Sequence, residues 1–214
     1  MVTGKFPEGA AMIRCLETLP VPTTTIARTR LPRGKRWTYA DYCKIPPDRK
    51  RHEIIDGRHY VSPSPSRPHQ WIAGQLFGQL NNRISLTGLG QVYHAPLDVH
   101  LGRGTVVQPD ILVLTESLGR VLTHKKIVGV PDLLVEVLSP STQNHDRKRK
   151  FERYQRAGVR EFWLVDPQAR RVEQFALRDG KYGEAVVAED RIRLHILPQV
   201  AFDLAIVWDP SRTE

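Results

Sequence analysis

The sequence predicts an α/β domain of mixed α+β character, with a sheet whose central strands are buried on both faces. Two observations indicate this class. Between residues 133 and 165, the apolar run LLVEVL, a helical segment and the apolar run EFWLV follow one another, which is the order of a strand, a crossover helix and a parallel strand. Two further strand-like runs, VYHAPLDVHL and VVQPDILVLT, precede them and are joined by the turn Gly102–Gly104.

The elements before these strands follow from local signals. The segment TYADYCKIPPDRK predicts a short helix that ends before Pro46–Pro47, since proline cannot continue a helix. In RHEIIDGRHYVSPSP, β-prone runs flank the pair Asp56–Gly57, which is typical of a hairpin. From Pro68 to Arg83, apolar residues recur at a spacing of 3.6, and this predicts an amphipathic helix with proline at its start.

The elements after residue 130 follow in the same way. VPDLLVEVLS is a strand, and Ser141 or Thr142 can cap a helix from Asp146 to Ala157, with Gly158 as its C-terminal stop. VREFWLVDP is the next buried strand. RRVEQFAL and EAVVAE are strands that flank a turn at Asp179–Gly180, and the apolar C-terminal run ILPQVAFDLAIVWDP is expected to pack on the domain.

Composition limits the class of protein. The chain has 214 residues, of which 40% are hydrophobic and 26% charged, as in globular domains. No run approaches the ~18 apolar residues of a membrane-spanning helix, and the N-terminus lacks the apolar segment of a signal peptide. We therefore expect a cytoplasmic protein, with Cys15 and Cys43 as reduced thiols.

The positive charge is concentrated at the N-terminus. The net charge is +9. Residues 1–36 contain seven Lys or Arg and two acids, which gives +5 and leaves +4 for the remaining 178 residues. We interpret residues 1–36 as a flexible basic arm and residues 37–214 as a single domain. Such an arm can touch phosphates, but it is more often a solvated segment, so it supports nucleic-acid binding only weakly.

Three acids are candidates for chemistry. Glu136 lies inside the apolar run LLVEVL, where an ionised carboxylate is costly unless it is paired, protonated or bound to a metal. Asp110 follows a proline and opens the strand DILVL. If the two strands are neighbours, these carboxylates converge, and Mg²⁺ is the natural cation for such a pair. Glu53 begins the hairpin, where a solvent-exposed carboxylate is the alternative interpretation.

The helix after Glu136 adds a cation. Asp146, Lys150 and Tyr154 are four residues apart and share one helical face. Helix geometry alone favours an exposed Asp146–Lys150 ion pair; the alternative is that Lys150 points at the end of the strand and lies beside the metal. His69, at a helix start, and Gln108, before the Pro–Asp pair, are candidate substrate contacts, although a lone histidine is more often a surface or capping residue.

An aspartate after proline, a strand glutamate and a lysine together resemble the PD-(D/E)XK nuclease superfamily. The fuller set of motifs resembles the bacterial Uma-type family of restriction-endonuclease-like proteins over roughly residues 37–210. That set reads EIIDG, SPSPSRPHQ, QPDILV, PDLLVEVLSPST and DRKRKFERYQRAGVREFWLVDP.

The resemblance implies a restriction-endonuclease-like mixed sheet flanked by helices. It also implies that Asp110, Glu136 and the backbone carbonyl of Val137 bind Mg²⁺ or Mn²⁺, with Glu53 as an additional acid. One position departs from the superfamily pattern, because Leu138 stands where the usual lysine would fall. The resemblance assigns that role to Lys150 of the following helix; Lys148 is the neighbouring alternative, turned about 200° away at 100° per residue.

These residues predict a Mg²⁺-dependent endonuclease that hydrolyses phosphodiester bonds of DNA. Asp110 and Glu136 hold the metal, Lys150 orients water or stabilises charge, and His69, Gln108 and Tyr154 contact the substrate. A homodimer is compatible with cutting both strands of a duplex. The rival hypothesis is a catalytically inactive nucleic-acid-binding or partner-binding protein that keeps the nuclease fold. Hydrolysis of another phosphate ester at the same site is a weaker third hypothesis.

Overall fold

The computed structural model describes residues 34–48, 50–115, 122–124, 126–139 and 146–208, all within the unit Leu31–Glu214. Most of the predicted basic arm 1–36 lies outside the described residues, and its boundary stays a prediction. Cys15 and the candidate cap residues Ser141 and Thr142 also lie outside them. In the described part of the chain, no helix is long and apolar enough to cross a membrane.

The described residues form fourteen strands and a few helical segments. The strands are β1 (Arg51–Ile55), β2 (Arg58–Ser62), β3 (Gln91–His94), β4 (Val99–His100), β5 (Val106–Val107), β6 (Ile111–Leu114), β7 (Ile127–Val128), β8 (Leu133–Val137), β9 (Glu161–Asp166), β10 (Arg171–Arg178), β11 (Lys181–Tyr182), β12 (Val186–Ala188), β13 (Arg191–Arg193) and β14 (Ala201–Asp203). The helical segments are α1 (Tyr39–Tyr42), α2 (Arg67–Ile84), a π-helical turn (Asp146–Lys150) and α3 (Phe151–Ala157).

The central sheet has the mixed topology that the sequence predicts. Its strands run in the order β11-β10-β9-β8-β6-β3, and β12 pairs with β10. Strands β8 and β9 are parallel and joined through α3, whereas β6 is antiparallel to β8. Two smaller sheets accompany it, one in the order β2-β1-β5-β4-β7 and one formed by β13 and β14. The predicted α/β class with mixed sheets is confirmed.

Two strands predicted as continuous are each broken in the structure. The run 92–101 divides into β3 and β4, and the run 106–115 divides into β5 and β6, with one half of each in the central sheet and the other in the five-stranded sheet. Pro96 and Pro109 fall at the two breaks, and proline has no N–H to donate to a sheet ladder. The prediction of two long strands is therefore wrong. The breaks position the five-stranded sheet, and with it Glu53, beside the central sheet.

Local signals gave the helices and the hairpin correctly. The pair Asp56–Gly57 has φ values of 50° and 76°, and two left-handed residues are what a tight two-residue hairpin turn requires. Ser66 caps α2 by accepting from the N–H of His69. Gly158, with φ of 87°, ends α3 as expected. The segment 146–157 is helical, but its first five residues form a π-helical turn, which a 3.6-residue pattern cannot indicate.

Side chains alternate between the two faces of the central sheet. Helix α2 packs on one face, where Leu76 and Leu80 belong to the same core as Val135 and Val137 of β8. Helix α3 covers the other face, where Tyr154 shares a core with Leu134 and Leu138. Because strand residues alternate with a period of two, Glu136 lies on the α3 face between these two leucines.

A second buried glutamate lies in the central sheet, away from Glu136. Glu161 of β9 is fully buried and accepts four hydrogen bonds from uncharged N–H groups. The donors are Nε1 of Trp163 (2.6 Å), Nε2 of Gln174 (2.5 Å) and the backbone N–H groups of His195 and Ile196 (2.8 Å each). Both carboxylate oxygens are thus used to join β9, β10 and the C-terminal segment.

Glu161→Gln is expected to lower the free energy of unfolding by about 2–3 kcal/mol, because the new amide NH₂ would face two N–H donors in a buried place. Denaturant unfolding measures this, with Glu152→Gln on the exposed surface of α3 as the control, expected within about 0.5 kcal/mol of wild type. Equal stability of both variants would show that the four-donor site contributes nothing.

Candidate active site

Asp110 and Glu136 lie opposite each other at one end of the central strands. Ile111 of β6 pairs with Val135 of β8 in an antiparallel register, so one further residue along each strand sets Asp110 opposite Glu136. The side chain of Asp110 is held from several sides. Its Oδ2 accepts from the N–H of Val137 (2.8 Å) and lies 3.2 Å from Nε2 of His69. Its Oδ1 accepts from Nη2 of Arg51 at 2.7 Å.

Glu53 reaches the same place from the five-stranded sheet. It is buried, and its Oε1 accepts from the backbone N–H of Gln108 at 2.9 Å. Arg51 precedes it by two residues on β1 and therefore points to the same face of the strand. The two sheets thus contribute three buried carboxylates and one arginine to a common site.

Lys150 lies among these carboxylates. It is 2% exposed, and its Nζ lies 2.9 Å from Oε1 of Glu136, 3.0 Å from Oε1 of Glu53 and 3.5 Å from Oδ1 of Asp146. The Asp146–Lys150 pair exists, but it is buried, so the interpretation as an exposed surface pair is wrong. Lys148, the neighbouring alternative, is exposed.

Lys150 reaches the face of the sheet on which the superfamily lysine would lie. Leu138 and Glu136 are two residues apart and share that face, and Leu138 packs in the core beneath α3. The helical segment brings the Lys150 ammonium to Glu136 from the same side. A lysine from the following helical segment therefore contacts Glu136, and its role in place of the usual superfamily lysine stays a prediction.

The site brings buried carboxylates together with two cations. Among the described residues, four buried carboxylates lie with the side chains of Arg51 and Lys150. The carboxylates are Glu53, Asp110, Glu136 and Asp146. Burial, opposed by the charge of Lys150 and reinforced by Asp146, raises the pKa of Glu136 to about 8.

The partners of Glu136 and Asp110 have opposite effects on the two acids. Burial would raise the pKa of Asp110, but the hydrogen bond from His69 and the charge of Arg51 outweigh it and hold this pKa below its ordinary value. Burial would lower the pKa of Lys150, but Glu136 and Glu53 raise it above its ordinary value, so the ammonium stays charged. The surroundings thus move the pKa values of the two acids in opposite directions, down for Asp110 and up for Glu136.

The residues fit a hard divalent cation by their chemistry. Within the described ranges, no three His, Cys, Asp or Glu side chains are already grouped around a point as metal ligands. Mg²⁺ needs no such cage, because it is bound through one or two carboxylates together with waters and substrate phosphate. The buried carboxylates of Asp110 and Glu136, opposite each other across β6 and β8, are oxygen ligands of the kind that Mg²⁺ prefers.

Three residues predicted as substrate contacts have different surroundings. His69 is buried against Asp110, and its Nδ1 has no hydrogen-bond partner among the described residues. Gln108 donates from Nε2 to Oδ1 of Asp98 (2.8 Å) and to the Tyr42 hydroxyl (3.0 Å). Tyr154 is fully buried, and its hydroxyl donates to Oε1 of Glu136 at 2.7 Å.

Sequence reasoning missed Arg51 and misjudged the surroundings of Asp146. The signal for Arg51 was available, because it precedes Glu53 by two residues and so shares its strand face. For Asp146, the four-residue spacing to Lys150 is visible in the sequence, but the burial of the pair is not, because it depends on how the helical segment packs against β8.

The site opens into a cavity of about 230 Å³. The four carboxylates, Lys150 and the segment Ser62–Ser66 line this cavity. The arrangement is a group of almost fully buried acids around a lysine, at a cavity at the end of the central strands.

Comparison with known proteins assigns the chain to a family. Residues 39–206 match the Uma2 family, described as "Putative restriction endonuclease". Because this match covers well over half of the chain, the protein belongs to the Uma2 family, and the resemblance predicted from the sequence is confirmed.

A curated relative and a solved structure agree with this assignment. An uncharacterized protein of Synechocystis sp. is 31% identical over 107 residues, which are 50% of this chain and 55% of the relative. The chain thus matches about half the length of that relative. A crystal structure described as a putative nuclease of Anabaena variabilis superposes with a TM-score of 0.67 at 18% identity, over 80% of this chain and 97% of the other. The fold is that of restriction-endonuclease-like nucleases.

Proposed function

We propose that the protein is a divalent-metal-dependent nuclease that hydrolyses phosphodiester bonds of DNA. The observation that carries this proposal is the convergence of Glu53, Asp110 and Glu136 on the buried Lys150 in an open cavity. Membership of a family described as restriction endonucleases supports it.

Asp110 and Glu136, with the backbone carbonyl of Val137, are the proposed ligands of Mg²⁺, for which Mn²⁺ can substitute. When bound, the metal would supply Lewis acidity that neutralises charge on the scissile phosphate and activates an attacking water. Glu53 is the additional acid beside this pair. Arg51 holds Oδ1 of Asp110 and so fixes the orientation of that carboxylate.

Lys150 is the proposed catalytic cation. Its ammonium stays charged because the surrounding carboxylates raise its pKa. Placed beside Glu136, it can hold the attacking water or stabilise negative charge that develops on the phosphate. Tyr154 donates to the same oxygen of Glu136 and is a positioning residue in this proposal. His69, which lines the cavity, and Gln108 remain the candidates for substrate contact.

DNA is the proposed substrate because two exposed basic side chains lie on the same helical turn as Lys150. Lys148 and Arg149 are exposed on the π-helical turn that delivers Lys150, and the guanidinium of Arg149 lies 4.9 Å from the ring centre of Tyr60. These cations can contact phosphates on either side of the cleaved bond. A two-fold dimer would present two such sites to a duplex.

Purified protein is expected to cut DNA in Mg²⁺ or Mn²⁺ and not in EDTA. The assay uses supercoiled plasmid and a single-stranded circle, so that nicking and strand preference are both visible. Absence of metal-dependent cleavage on both substrates, together with salt-sensitive DNA binding, would contradict the proposal and favour the non-catalytic binding protein.

A further inference from the structure

A second cavity adjoins the candidate active site on the side of α2. Its volume is about 450 Å³, within the ~300–1,000 Å³ range of small-molecule sites. Arg51, Asp110 and the loop residues Pro63–Pro65 border both cavities. The two cavities are therefore neighbours, and a phosphate in the active site would lie beside the second cavity.

The walls of this cavity suit a flat unsaturated ring. Phe77 of α2 and His94 at the end of β3 are in edge contact, with ring centres 4.7 Å apart and planes at 74°. The prolines Pro63, Pro65 and Pro96 supply further ring surfaces. Aromatic side chains stack on the faces of nucleobases regardless of base identity, because every base has a π-face.

Polar groups in the same walls match the edges of a base. Nδ1 of His94 lies 2.8 Å from the carbonyl oxygen of Ala95. A carbonyl only accepts hydrogen bonds, so Nδ1 carries the proton, and Nε2 of the neutral ring is an acceptor. Gln70, one turn before Gly74 on α2, is exposed, and its side-chain amide offers both a hydrogen-bond donor and a hydrogen-bond acceptor.

We propose that this cavity receives an unstacked nucleobase adjacent to the scissile phosphate, so that the substrate is DNA with unpaired nucleotides. The inference rests on the proposed nucleic-acid substrate. A base inside a continuous duplex is stacked on both faces and cannot enter a concave pocket without leaving the stack, which costs a few kcal/mol. Single strands, flaps and frayed ends do not carry this cost.

Gly74 gives a way to fill the cavity without touching the acids. It lines the cavity, and a Cβ atom built there meets no neighbouring atom within 4 Å. Gly74→Leu therefore projects into the cavity and also replaces a poor helix former inside α2. Gly78 is the matched control, because it lies one turn further along α2, has the same open surroundings and does not line the cavity.

The test is binding of a fluorescein-labelled single strand and of the blunt duplex of the same sequence, in EDTA so that nothing is cut. Wild type is expected to bind the single strand at least about tenfold more tightly than the duplex, and Gly74→Leu to lose about tenfold in single-strand affinity, as for loss of one base-stacking contact. Gly78→Leu is expected to bind the single strand with an affinity within about twofold of the wild-type affinity.

Equal affinity of wild type for the two DNAs, absence of binding, or unchanged single-strand binding by Gly74→Leu would each overturn the inference. The cleavage assay separates this failure from failure of the proposed function. Metal-dependent cutting that Gly74→Leu does not affect would support the nuclease proposal and contradict the base pocket. The predicted binding pattern without any cutting would support the base pocket and contradict the nuclease proposal.

Discussion

Replacing Lys150 with methionine is expected to lower the free energy of unfolding by about 3–5 kcal/mol, because breaking a buried ion pair from one side leaves uncompensated charge. Methionine keeps most of the length and volume of lysine but none of its charge. Glu53, Glu136 and Asp146 would then face one another with no cation between them. Denaturant unfolding in EDTA at neutral pH measures the loss.

Two further variants make this prediction specific. Lys148→Met removes an exposed charge from the same helical turn and is expected within about 0.5 kcal/mol of wild type. Adding Glu136→Gln to Lys150→Met removes one of the unpaired acids, so the double variant should recover part of the lost stability. A free energy of unfolding of Lys150→Met within about 1 kcal/mol of the wild-type value would contradict the interpretation that Lys150 is a buried, charged partner of the acids.

Glu136→Gln is expected to lower the rate of metal-dependent DNA cleavage by at least about 10²-fold, because it removes one of the two proposed carboxylate ligands of the metal. The amide oxygen can still accept from Lys150 and Tyr154, so the fold is expected to survive. Glu152→Gln on the surface is the matched control, with unchanged cleavage. Cleavage by Glu136→Gln at the wild-type rate would remove Glu136 from the mechanism.

The same variant should change how stability depends on pH. An unfolded glutamate has a pKa of about 4.3, whereas the pKa of Glu136 in the folded protein is raised to about 8. The folded state therefore binds the proton more tightly, and the contribution of Glu136 is complete below about pH 4 and is lost as the pH rises through about 8.

Between pH 5 and pH 8 in EDTA, wild type should lose at least about 1 kcal/mol more stability than Glu136→Gln, the equivalent of one pKa unit. Asp110 does not interfere, because its pKa is lowered and its contribution changes only in more acidic solution. Parallel pH profiles for the two proteins would show that Glu136 is not protonated in the folded state near neutral pH.

Local signals in the sequence predicted much of the fold. The Asp56–Gly57 hairpin, helix α2 and the parallel pair β8–β9 each follow from short patterns of turn residues, spacing and apolar runs. The separation into two sheets did not follow. Pro96 and Pro109 were visible, but a proline shows only that a ladder is interrupted and not which sheet the chain joins afterwards.

The candidate site shows a related limit of prediction from the sequence. Glu136 was chosen because it is an acid in an apolar strand, yet Glu161 is equally an acid in an apolar strand. What separates the two is the set of partners: charged groups around Glu136 and neutral N–H donors around Glu161. Those partners come from elements far away in the chain, so only the tertiary structure distinguishes the site glutamate from the structural one.

Diffraction from a crystal soaked in Mn²⁺ tests the central claim most directly, since the anomalous signal of manganese locates the ion without reference to activity. We predict an anomalous peak between the carboxylates of Asp110 and Glu136 in the wild-type protein, and its loss in Glu136→Gln. A wild-type crystal with no peak at these two carboxylates, or with an equal peak in the variant, would contradict the assignment of this site as a metal-dependent nuclease centre.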